Sequence, residues 1–259
     1  MARPALRHGD FTGLAANYSK YRPAYCASVL RALLALVPKP PAAIDAADIG
    51  AGTGIWTRML APLVRHVSAV EPNDDMRSHG ESDCAGLRIS YSSGTGERTG
   101  LVAASVDLVT AASCFHWMDL EPTLREFHRV LRPGGRFVAL WNARMIEADP
   151  LHAEIEAKIA ALAPEITRVS SGASGITATL TERLYASGLF DDVVHLEGRH
   201  VESRTPAQYV GVWESVNDVQ VQLGEARWRE FMAFVAARVA GMERIDTTYR
   251  TRAWSAARL

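Results

Sequence analysis

Apolar positions recur at helical spacing early in the chain. Val29, Leu30, Leu33, Leu34 and Val37 fall at i, i+3 and i+4 intervals, which predicts a helix over 25–37 that the prolines at 38, 40 and 41 stop. From 43 to 142 the pattern changes to short apolar runs alternating with helical stretches. Strands are expected near 44–49, 66–71, 87–91, 106–111 and 136–141, with helices near 54–64, 74–80 and 121–131. Such alternation predicts βαβ units and a parallel sheet covered on both faces. Further on, 148–163 reads as an amphipathic helix, 170–175 as a loop, 192–200 as a strand, 206–221 and 224–241 as helices, and 246–257 as a terminal strand. The simplest architecture is a single α/β, Rossmann-like domain over 1–259. It divides into a helical cap (1–40), a cofactor-binding core (43–142), a helical insertion with a sixth strand (145–200), and C-terminal helices with the last strand (201–259).

The 259 residues are 48% hydrophobic and 22% charged, the balance of an ordinary folded domain. A net charge of -1 gives no footprint for a polyanion, so no nucleic-acid partner is expected. Only Lys20, Lys39 and Lys158 among the 28 basic residues are lysines; arginine suits carboxylate recognition, but compositional bias accounts for the excess more simply. Cys26, Cys84 and Cys114 form no CxxC pair, which points to neither a disulfide framework nor a metal site. The basic N-terminus has no apolar stretch behind it, so a cytoplasmic chain with no membrane association is expected.

Asp48-Ile49-Gly50-Ala51-Gly52-Thr53-Gly54 follows a predicted strand and opens a predicted helix. Glycines there let the backbone turn sharply and approach a ligand. Glu71 ends the next strand, at a spacing suited to a carboxylate accepting from both ribose hydroxyls of an adenosine-bearing cofactor. Ile55 occupies the position where a dinucleotide fingerprint needs a small residue, and no P-loop is present, so NAD and ATP both lose ground.

The glycine loop resembles motif I of the class I S-adenosylmethionine-dependent methyltransferases, and further matches follow in order. Val70-Glu71-Pro72-Asn73 with Met76 resembles the segment after the second strand, and Gly94-Thr95-Gly96-Glu97 the one after the third. Ser105–Val109 resembles the fourth strand, and Phe127–Gly135 the turn into the fifth. Tyr18-Ser19-Lys20-Tyr21-Arg22-Pro23 and Phe115-His116-Trp117-Met118-Asp119 are similar to the small-molecule subgroup that includes trans-aconitate and quinone-biosynthesis methyltransferases.

The resemblance implies a seven-stranded, mostly parallel sheet with an antiparallel last strand, and S-adenosyl-L-methionine as cofactor. It places Gly50, Ala51 and Gly52 along the methionine moiety, Glu71 on the ribose, Pro72 and Met76 against the adenine, and Gly96 and Glu97 near its ring edge. Asp48 orients the loop or reaches the ammonium through water. Tyr18, Arg22 and Ser113 join the cofactor-binding set, and Tyr21 and Trp117 face the acceptor. Ser113 stands where the family has a larger polar residue, and Met118 where it usually has Phe, which leaves the acceptor open.

His116 is the candidate base, since it follows the fourth strand where open α/β sheets bind ligands; capping or packing beside Trp117 is the alternative. Cys114 reads as a small buried hydrophobe, Asp74 and Asp75 as helix N-terminal charges. The C-terminal arginines read as a solvated face unless several converge on the pocket. The expected activity is in-line methyl transfer to a small molecule, at oxygen or a carboxylate, by a monomer or homodimer. A cofactor-supported cyclisation and a non-catalytic cofactor-binding module are the alternatives.

Overall fold

The computed structural model describes residues 11–167 and 175–259. Its chain order is α1 (Ala15–Tyr21), α2 (Ala27–Ala35), β1 (Asp45–Ile49), α3 (Ile55–Leu60), β2 (His66–Val70), α4 (Asp74–Asp83), β3 (Ile89–Ser92) and β4 (Val106–Ala112). There follow α5 (Leu120–Val130), β5 (Leu131–Arg144), α6 (Pro150–Leu162), α7 (Ile176–Ala186), β6 (Phe190–Arg204), α8 (Pro206–Glu214), α9 (Asn217–Val239) and β7 (Ile245–Arg258).

The strands form one sheet in the order β3-β2-β1-β4-β5-β7-β6. β7 is antiparallel to both β5 and β6, and the other pairings are parallel. This is the expected seven-stranded Rossmann-like sheet. The period-two alternation of a strand is plain along β5: Phe137, Ala139 and Trp141 enter one core cluster, with Leu180 of α7 and Phe127 of α5, while Val138 and Leu140 enter the opposite one, with Leu33 of α2 and Leu60 of α3. A third cluster joins Ile155 of α6, Trp213 of α8 and Phe231 of α9 beside one end of the sheet.

Several boundaries differ from the expectations. The helix expected to start at 25 starts at Ala27, because Tyr25 stays extended and its ring packs edge-on against Trp56 at 5.2 Å. The fifth strand, expected at 136–141, extends over 131–144 because Leu131 pairs with Val106 of β4 at one end and β7 pairs with it as far as Arg144 at the other. Of the C-terminal helices, α8 is held at its start by a reciprocal Thr205–Gln208 capping box and ends at Glu214; α9 carries a break at Gly224, whose φ of 69° glycine adopts readily. The loop expected at 170–175 falls, up to residue 174, outside the described residues.

Candidate active site

The strand order reverses between β1 and β4, so their C-terminal ends open a crevice where such sheets bind ligands. Gly50, Gly52 and Gly54 follow β1 with φ of 69°, 55° and 82°, a left-handed run that only glycine tolerates cheaply. The N–H groups of Gly50 and Ala51 donate to the Val70 carbonyl at 2.8 and 3.1 Å, which fixes the loop against β2. A Cβ on Gly50 would lie 2.7 Å from Cys114 Sγ, so the loop and the segment after β4 close on each other across the crevice.

Two lobes of about 930 and 740 Å³, open mouths included, lie over this crevice. The first is bounded by Glu71, Pro72, Met76, Gly96, Glu97 and Met118. The second is bounded by Arg22, Tyr25, Asp48, Ala51, Trp56 and Asn142. Tyr18, Gly50, Gly52, Ser113 and Trp117 line both. Every proposed cofactor-binding residue therefore borders one lobe or the other.

Glu71 is 7% exposed, and each carboxylate oxygen accepts one backbone N–H: Gly52 at 2.8 Å and Asn73 at 2.9 Å. Burial raises its pKa, with these N–H groups and Arg77 working against the rise. Each oxygen keeps lone-pair capacity for a diol. Met76 is placed by Asn73, whose side chain caps α4 by accepting from the Met76 N–H. Asp48 is 1% exposed and accepts from Thr57 Oγ1 at 2.6 Å and Thr110 Oγ1 at 2.9 Å. With hydroxyls but no cation against it, burial pushes its carboxyl up to about 7.

Ser113 has a φ of 59°, a conformation costing a non-glycine residue about 1–3 kcal/mol. Its N–H donates to the Leu140 carbonyl at 2.8 Å, and its hydroxyl shares a hydrogen bond of 2.9 Å with that of Tyr25. The Cys114 thiol donates to the Ile49 carbonyl at 3.0 Å, and burial pushes its pKa well up, so it sits in the wall as a thiol.

α1 straps the crevice. On one flank the Gly13 N–H donates to Asp75 Oδ2 at 2.8 Å and Ser19 bonds Asp83; on the other, Asn17 donates to Glu214 at 3.1 Å and Arg22 Nη2 to the Ser215 carbonyl at 2.9 Å. The Arg22 guanidinium also lies over the Tyr18 ring at 4.9 Å.

Two expected site residues do not border the lobes. Tyr21 turns its ring onto Gly211 of α8, where a Cβ would come within 2.5 Å of it. His116 lies in a single turn of 3₁₀ helix, Phe115–Trp117; this turn presents Trp117 to the cleft and sends the imidazole back beneath it, where Nδ1 accepts from the Trp141 indole N–H at 3.1 Å. Tyr25, Trp56 and Asn142 border the second lobe but escaped the sequence reading. For Tyr25 the adjoining Tyr-Arg-Pro segment was the available signal. Among the described residues, no three His, Cys, Asp or Glu side chains gather as metal ligands, and no helix is long and apolar enough to cross a membrane.

Residues 47–139 match the family described as a methyltransferase domain. An uncharacterized methyltransferase of Mycobacterium tuberculosis is 36% identical over 139 residues, 52% of this chain and 53% of that protein. A ubiquinone/menaquinone biosynthesis C-methyltransferase of Rubrivivax gelatinosus is 33% identical over 102 residues, 39% of this chain and 40% of its own. The chain thus spans about half the length of the curated relatives it matches. A solved candidate type II methyltransferase from Anaeromyxobacter dehalogenans superposes with a TM-score of 0.67 at 24% identity, covering 92% of this chain and 98% of that one.

Proposed function

We propose that this chain, whose core at 47–139 belongs to the class I S-adenosylmethionine-dependent methyltransferases, binds S-adenosylmethionine in the Glu71 lobe and methylates a small-molecule acceptor held in the Arg22 lobe, at oxygen or a carboxylate. The observation that carries it is the meeting of two lobes at Tyr18, Gly50 and Ser113, one with a buried carboxylate between apolar walls, the other aromatic with one cation. The donor set fits the cofactor: Glu71 for the ribose hydroxyls, Pro72 and Met76 for the adenine faces, the glycine loop for the methionine portion.

When bound, the cofactor supplies an electrophilic methyl group on a sulfonium. The protein's part is alignment and exclusion of water. Tyr18 and Trp117 roof the point where the lobes meet. The Tyr18 and Tyr25 phenols have pKa values raised by burial, so they act as O–H donors rather than bases, and both Asp48 oxygens are engaged by threonines. A nucleophile that arrives already ionised suits such a lobe, which supports carboxylate or acidic hydroxyl acceptors over neutral alcohols. The net charge of -1 supports a small molecule over a nucleic acid as partner, and we place the activity in the cytoplasm, in a monomer or homodimer.

Calorimetric titration with S-adenosylmethionine tests the reading. Binding that weakens at least ~tenfold, about 1.4 kcal/mol, in Glu71→Ala supports it, and the absence of binding by folded wild-type protein sinks it.

A further inference from the structure

Beside the acceptor lobe, under α6 and α8, lies a second concentration of polar groups that the transfer reaction as described leaves unused. Asn142 borders the lobe, and Arg144 follows two residues later on the same face of β5, about 7 Å along the strand. The Arg144 side chain is 13% exposed and stacks on the Trp213 indole at 4.3 Å. Its ion-pair partner Glu156 stands at 3.9 Å, beyond hydrogen-bond reach, and its Nε has no hydrogen-bond partner among the described residues.

The same holds for the Tyr209 hydroxyl, the Trp213 indole N–H and His152 Nδ1, on residues no more than 1% exposed. His152 uses Nε2 on Thr247 Oγ1 at 3.2 Å, and its ring lies 5.8 Å from that of Tyr209. Arg22, from the lobe itself, reaches the same place: it donates to the Ser215 carbonyl, two residues past Trp213.

Buried donors are ordinarily satisfied, because each one left without a partner costs about 1–3 kcal/mol. Several in one place, beside a guanidinium whose ion-pair partner Glu156 stands beyond hydrogen-bond reach, describe a receptor for an oxyanion. We propose that this cluster is the far end of the acceptor site, where Arg144, Tyr209 and Trp213 hold a carboxylate that the acceptor carries away from the atom receiving the methyl. The inference rests on the assignment of the acceptor lobe above, and it makes the acceptor an elongated acid anchored at its distal end.

The test is calorimetry on the full chain saturated with S-adenosylhomocysteine, titrated with 4-hydroxybenzoate, phenol and inorganic phosphate. 4-Hydroxybenzoate is expected to bind and phenol to bind at least ~tenfold more weakly, about 1.4 kcal/mol. Tyr209→Phe and Arg144→Gln are each expected to weaken 4-hydroxybenzoate by a similar factor and leave S-adenosylhomocysteine unaffected. Tyr209→Phe also separates a binding role from a structural one, since removing a hydroxyl that has no partner leaves the Tm of the ligand-free protein unchanged or higher. Equal binding of phenol and 4-hydroxybenzoate, no binding of 4-hydroxybenzoate, preference for phosphate, or a fall in Tm with unchanged 4-hydroxybenzoate affinity overturns the proposal. Failure of S-adenosylhomocysteine itself to bind marks instead the failure of the methyltransferase reading.

Discussion

Asp45 and Asp48 stand three residues apart on β1, and the two ends of that strand treat a carboxylate in opposite ways. At the N-terminal end, Asp45 is hydrogen-bonded by Arg65 and Arg132, and Asp107 at the start of β4 by Lys39, Arg132 and the Asp45 N–H. The guanidinium of Arg65, then that of Arg132, holds Asp45 below its ordinary range. Asp107 is held low by Lys39, the Asp45 N–H and Arg132 against the opposing effect of burial. At the C-terminal end, Asp48 has threonine hydroxyls and the neighbouring Glu71 charge, and burial carries it the other way. One end neutralises its charges and closes the sheet; the other leaves carboxyls short of counter-charge around a strained loop. Sheets concentrate such unrelieved cost where a ligand is to be met.

The sharpest way to break this contrast is Gly50→Ala, which forces a left-handed φ on alanine and drives its Cβ toward Cys114. S-adenosylmethionine affinity is expected to fall beyond ~hundredfold, about 2.7 kcal/mol, by calorimetry, with the fold retained by circular dichroism. Next, Asp107→Ala at the opposite end strips the Lys39 ammonium and the Asp45 N–H of their acceptor and leaves Arg132 with Asp45 alone. It is expected to cost about 2–3 kcal/mol in urea unfolding and to leave cofactor affinity unchanged.

The pH dependence of stability sharpens the comparison further. The folded chain holds the Asp48 proton up to about pH 7, whereas the unfolded chain releases it near 3.8. Its contribution is therefore full below about pH 4 and declines as pH rises toward 7, by at most about 1.4 kcal/mol per pH unit. Asp45 and Asp107 act with the opposite sign: their contribution is present above 3.8 and lost as pH falls through their depressed values. Asp48→Asn is expected to flatten the decline between pH 4 and 7 and leave the acid-side loss intact. The smallest effect belongs to Arg65→Ala. That side chain is 61% exposed, and the change is expected to shift the urea midpoint least of the series, and less still in high salt.

The cofactor lobe was the more legible of the two because its determinants are local. The Gly50–Gly54 turn and Glu71 carry their meaning in spacing along the chain. The Arg22 lobe is assembled by topology: Tyr25 from the cap, Trp56 from α3 and Asn142 from β5 meet only because β5 lies beside β4 and the cap folds across both. Periodicity put Tyr25 inside a helix, although it is the residue just before the Cys26 cap that reaches Ser113. His116 shows a different limit. Its place after β4 was readable, but the imidazole packs against the Trp117 indole at 4.6 Å between ring centroids and turns to Trp141, while the indole reaches the cleft, so the packing alternative describes it. Sequence order does not say which of the two rings reaches the cleft.

Because Tyr18, Gly50, Ser113 and Trp117 line both lobes, each occupant forms part of the other's wall. Two such ligands are thermodynamically linked: whatever factor one adds to the affinity of the other, it receives back in equal measure. Under the proposed assignment, a cofactor that has lost its methyl presents a wall shorter by one group to the acceptor. On that assignment the linkage therefore differs before and after transfer, so the acceptor-side affinity depends on whether the cofactor still carries its methyl group.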